Sequence, residues 1–62
     1  MPLTLEDVYE LLGTKDIPGD DHELKVLTNW TEDLIKRNGT NWIKEHRDLL
    51  LNQWEWCLEM GV

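Results

Sequence analysis

Sixty-two residues are expected to make one domain of marginal size, since a chain this short buries only about 60% of the surface its unfolded form exposes. Its single cysteine, Cys57, excludes an intramolecular disulfide and with it the disulfide-stapled class of mini-protein. The net charge of −7 argues against general nucleic-acid binding, which depends on phosphate neutralisation by Lys and Arg.

No run approaches the roughly 18 apolar residues that a membrane span needs. The Met1-Pro2 start leads into neither a basic segment nor an apolar one, so a signal peptide is not expected. The expectation is a cytoplasmic protein without membrane contact. Its charge is uneven. Residues 1–24 carry Glu6, Asp7, Glu10, Asp16, Asp20, Asp21 and Glu23 against Lys15 alone. Residues 25–47 are mildly basic, and Asp48, Glu55 and Glu59 make the C-terminal segment acidic again.

The first element is "LTLEDVYELLG". Thr4 with Asp7 three residues on forms a capping-box pattern, with Asp in place of the usual Glu or Gln. Leu5, Val8, Leu12 and Leu11 share a face, and Gly13 fits the left-handed stop position. These signals predict a helix over 5–12. The following "GTKDIPGDD" has no period and contains the Pro18-Gly19 turn signal, so it reads as a loop fastened by Ile17.

Asp20 with Glu23 is a second capping box. From there to Asn38 the spacing is helical, with Leu24, Val26, Leu27, Trp30, Thr31, Leu34 and Ile35 on one half and mostly charged residues on the other. Asn38-Gly39 ends this helix, predicted over 21–38. Thr40 or Asn41 is placed to cap a third helix at once. So short a connection folds the two helices back on each other as an antiparallel hairpin.

The third helix is predicted over 41–60, closed by Gly61. Ile43, Leu50, Trp54 and Cys57 lie within about 40° of one line and mark its buried centre. Leu50 and Trp54 are expected to face Trp30 and Leu27 or Leu34, and Cys57 to be an inward, inert thiol. Leu51 and Leu58 occupy one flank, and Trp42, Leu49, Trp56 and Met60 the other. The apolar arc spans about 220°, where a common surface helix shows a little over 100°. Either this is a central helix flanked by both others, or one flank is left for a partner. Trp42, Leu49 and Trp56 recur every seven residues, and His46, Gln53 and Met60 recur beside them at the same spacing. A stripe that mixes Trp and Met with His and Gln has the composition of an interface. A first helix of two turns is also too short to cover a helix of about 30 Å. The overall expectation is all-α: a short N-terminal helix packed on a two-helix hairpin.

Nothing in the chain calls for catalysis, a cofactor or a metal. His22, His46 and Cys57 are ligand types, but no recognised spacing joins them, and His46 and Cys57 stand about 16 Å apart along the helix. "DDHE" at 20–23 serves as a capping segment. Cys57 has Glu55 and Glu59 beside it, the reverse of the electropositive setting a nucleophilic thiol needs. The four glycines are isolated, so there is no phosphate-binding loop. The opening helix resembles the first helix of helix-turn-helix proteins, which implies a DNA contact, but an acidic loop follows it instead of a second helix. Only Lys36, Arg37, Lys44 and Arg47 at the hairpin tip offer basic charge.

The expected function is a small non-catalytic interaction module. It would bind another protein, or a second copy of itself, through Trp42, His46, Leu49, Gln53, Trp56 and Met60. The alternative is an acidic inhibitor that imitates nucleic-acid charge and occupies a basic site. A third, a weak nucleic-acid contact, would use the basic tip.

Overall fold

The structure of the protein, a computed structural model, describes residues 2–61. It contains four helices and, among those residues, no strand. The first, α1 (Leu5–Leu12), starts where the sequence places a capping box. The Asp7 amide donates to Thr4 Oγ1 at 3.3 Å, and the Thr4 amide donates to Asp7 Oδ2 at 3.1 Å. Two of the amides that a helix start leaves unpaired are thereby satisfied. At the other end the Thr14 amide donates to Tyr9 O and the Gly13 amide to Glu10 O, the double closure of a Schellman motif. This closure requires a left-handed residue, and Gly13 supplies it at φ 72°.

The loop that follows is pinned at two adjacent residues. Ile17 is buried among core side chains, and the Pro18 carbonyl accepts a 2.9 Å hydrogen bond from Trp54 Nε1. The second helix, α2 (Asp21–Asn38), opens on the Asp20/Glu23 box, whose bonds are 2.8 and 3.0 Å. Its inward face carries Leu27 and Thr31, and the Thr31 hydroxyl is satisfied by donating to Leu27 O. At 18 residues this helix is about 27 Å long. That matches the longest dimension of the molecule, which measures 27 × 23 × 20 Å.

Gly39 alone joins α2 to α3 (Thr40–Glu45). Its φ of 92° is open to glycine and strained for other residues. The chain turns back as expected, and α3 packs on α2. The expected caps are not formed, however: Thr40 is already helical, and no side chain caps α3.

The larger difference comes at His46. The helix expected over 41–60 is two helices, α3 and α4 (Arg47–Met60), with His46 between them at φ −111° and ψ 20°. Here the His46 ring stacks on the Trp42 indole, with centroids 4.4 Å apart. Its Nδ1 lies 2.9 Å from Trp42 O, which also accepts the His46 amide. The imidazole and the backbone amide of His46 thus share one acceptor at the last turn of α3. Past the break α4 leaves α2 and lies on α1; α2 and α4 meet only at the margin.

The core lies where two short helices, α1 and α3, each pack against all three others. The buried side chains are Val8 and Leu12 from α1, Ile17, Leu27, Ile43, Leu50 and Trp54. Both candidate explanations for the wide apolar arc hold in part: α3 is flanked by α1 and α2, whereas α4 packs on α1 and leaves a flank open. The arc is divided by the break: Ile43 of α3 and Leu50 and Trp54 of α4 enter the core, while part of α4 faces outward.

Two adjacent leucines test this orientation. Leu50 is 6% exposed and Leu49 is 58% exposed. Leu50→Ala should cost about 2–5 kcal/mol through lost burial and the cavity left behind. Leu49→Ala should stay within about 0.5 kcal/mol of the parent. Urea unfolding midpoints of the two variants provide the comparison, and similar losses at both sites would refute the assigned face of α4.

Candidate functional site

Four of the six residues singled out from the sequence lie together on α4. Leu49, Gln53, Trp56 and Met60 are spaced four, three and four residues apart, which keeps them within about 60° of one another over about 16 Å. Leu49, Trp56 and Met60 are the large apolar side chains most exposed among the described residues, at 58%, 56% and 68%. Gln53 lies within the stripe, with its Nε2 4.0 Å from Cys57 Sγ.

The other two residues do not continue this line. Trp42 and His46 belong to the break between α3 and α4, are half-buried and stack on each other. Trp42 also packs against the core. The straight-helix spacing that placed Trp42 and Trp56 on one side of a single helix ends at His46, so the seven-residue recurrence describes two surfaces.

Beside the stripe is a feature the sequence did not reveal. Because α4 diverges from α2, an open and almost wholly apolar groove of about 300 Å³ is left between them. It is lined by Val26, Trp30, Trp54, Trp56, Cys57 and Met60. Val26 and Trp30, on the inward half of α2 by their spacing, are half-buried at the groove wall. Cys57, expected inside, is half-buried on the opposite wall. One signal did point this way: an eight-residue helix cannot cover the full length of an 18-residue one.

The polar surroundings of the stripe are asymmetric. Asp48, Asn52, Glu55 and Glu59 are exposed along the side of α4 away from the groove. The only basic residue of α4 is Arg47, and its guanidinium is turned toward the end of α1, where an added Cβ on Gly13 would lie 3.2 Å from Nη1. A positive charge there opposes the negative end of the α1 dipole. Of the other basic residues near the tip, Arg37 forms a 3.2 Å ion pair with Asp33, and Lys36 and Lys44 are exposed.

No group of three or more His, Cys, Asp or Glu side chains among the described residues is placed to hold a metal ion. No helix among them is long and apolar enough to cross a membrane. In comparisons of the chain with protein families, with curated proteins and with solved structures, no match is found.

The two tryptophans of α4 differ sharply in environment, with Trp54 at 2% exposed and Trp56 at 56%. Acrylamide should quench part of the parent's emission, and Trp56→Gln should remove much of that accessible part while the Trp54 contribution stays largely unquenched. Trp56→Gln should keep the parental melting curve to within about 0.5 kcal/mol. Cooperative unfolding lost on this substitution would mean that Trp56 belongs to the core.

Proposed function

We propose that this protein is a small non-catalytic interaction module that docks another protein surface on the outer face of α4. The observation that carries this reading is the apolar stripe of Leu49, Trp56 and Met60, continuous through Trp56 and Met60 with the groove beside α2. A 62-residue chain leaving three large apolar side chains exposed on one helix face forgoes burial it could use for its own stability. Trp and Met are also the residue types that concentrate in the centres of interfaces. At about 300 Å³, the groove lies at the lower limit of small-ligand pockets and suits an apolar side chain of a partner. Both a second copy of the chain and an unrelated protein fall within this proposal, and neither nucleic acid nor a membrane is part of it. Cytoplasmic residence accords with the lone thiol.

A second reading is supported by a separate observation. Among the described residues the only salt bridge is Arg37–Asp33, so the seven acidic residues of 1–24 have no basic side chain within 4 Å. Unneutralised in this way, they would suit an inhibitor that presents negative charge to a basic site.

The two readings respond to different substitutions. If docking uses α4, Trp56→Gln abolishes association, measured by light scattering for self-association and by co-purification for another protein, while the fold persists. If charge mimicry operates, replacing Asp16, Asp20 and Asp21 by Asn slows association and flattens its dependence on salt. Asn caps a helix about as well as Asp, so α2 survives that change. Association unaltered by Trp56→Gln removes the docking surface, and association unaltered by the three Asn substitutions at low salt removes the mimic.

A further inference from the structure

Resting on the docking proposal, we infer that the occupant of the α4 stripe and groove is a cationic amphipathic helix of another protein. The charge around the stripe selects it. On the side away from α2, Asp48, Glu55 and Glu59 border the apolar residues over nearly the whole length of α4. No lysine occurs on α4, and Arg47, its one arginine, is directed at the end of α1. A helix laying apolar residues on Leu49, Trp56 and Met60 therefore meets carboxylates along one edge, and Lys or Arg at its own edge complements them.

The apolar half of the match also favours a helix. Leu49, Gln53, Trp56 and Met60 form a straight ridge about 16 Å long, and the groove beside it accepts a large side chain projecting from a parallel or crossing partner. The thioether of Met60 adapts to partners of differing shape.

A second copy of the chain meets two obstacles. Two-fold antiparallel pairing of α4 on α4 would set the Glu55/Glu59 edge against itself, and each copy brings a net charge of −7. An ordinary stable interface also covers about 800 Å² on each partner, close to a fifth of the 4499 Å² this chain exposes. Three exposed apolar side chains fall short of that. A slender helix seated in the groove makes better use of a small surface.

The test uses the full chain and two synthetic amphipathic helices with the same Leu/Trp stripe, one carrying Lys and the other Glu at all remaining positions. Binding is read by anisotropy of the labelled peptide, and the site by amide chemical shifts. The Lys peptide should bind and shift resonances of Gln53, Trp56, Met60, Val26 and Trp30. The pair Glu55→Lys/Glu59→Lys should weaken it about tenfold and transfer the advantage to the Glu peptide. Glu55→Gln/Glu59→Gln, which should weaken the Lys peptide to a smaller extent, replaces that variant if its far-ultraviolet spectrum is altered.

Equal binding of both peptides on α4 overturns the charge selection and leaves the docking surface intact. So does a chain already paired with itself, with Trp56 shielded from quencher. Shifts confined to α1 and the 14–20 loop overturn the inference in favour of unselective charge attraction. Neither peptide binding, with Trp56 open to quencher, overturns the inference and the docking surface together.

Discussion

The structure depends on an eight-residue helix being held in place at both ends. In isolation α1 is far below the length at which helices persist in water, about 12–15 residues even for favourable sequences. Here the reciprocal Thr4/Asp7 bonds fix its start, and the Gly13 closure fixes its end. Val8 and Leu12 between them reach the packing centre shared with Leu27, Ile43, Leu50 and Trp54. α2 and α4 both pack on α1 while meeting each other only at the margin, and the open groove between them has no α1 residue in its lining.

What was legible in the sequence was what is encoded locally. Both capping boxes join residues three apart, and the Gly13 closure involves residues within one turn, so their signatures are complete in a short window. The all-α class, α1, α2 and the sharp reversal at Gly39 follow from such signals and from helical spacing. The width of the apolar arc left two arrangements open, and the exposure of Leu49, Trp56 and Met60 matches the one that leaves part of a flank uncovered. The break at His46 was not legible, because neither Gly nor Pro marks it and the apolar spacing continues across it. What accompanies it is a side-chain contact, the His46 ring against Trp42 and its carbonyl, that is compatible in sequence with an unbroken helix. The central place of α1 was hidden for another reason: periodicity tells which face of a helix is apolar, and says nothing of which neighbour takes it.

The break also divides the labour of a tryptophan-rich segment. Upstream, Trp42 braces the junction through its stack with His46. Downstream, Trp54 reaches inward and Trp56 outward from a helix long enough to present both. One unbroken helix lying along α2 would cover Val26 and Trp30 and close the groove. In this molecule the open groove goes with the bend, and the acidic residues beside it are spaced along the straight segment that follows.

The bond between the Trp54 indole and Pro18 has a consequence for the dynamics of the chain. Among the described residues it is the side-chain hydrogen bond of greatest sequence separation, joining residues 36 apart, while the others span four residues or fewer. Helical amides can exchange with solvent through fraying or the opening of a single helix. The indole proton is freed when the Ile17-Pro18 segment and α4 separate. Its hydrogen-exchange rate therefore follows the undocking of that loop from α4, whereas the amides near the helix ends report fraying.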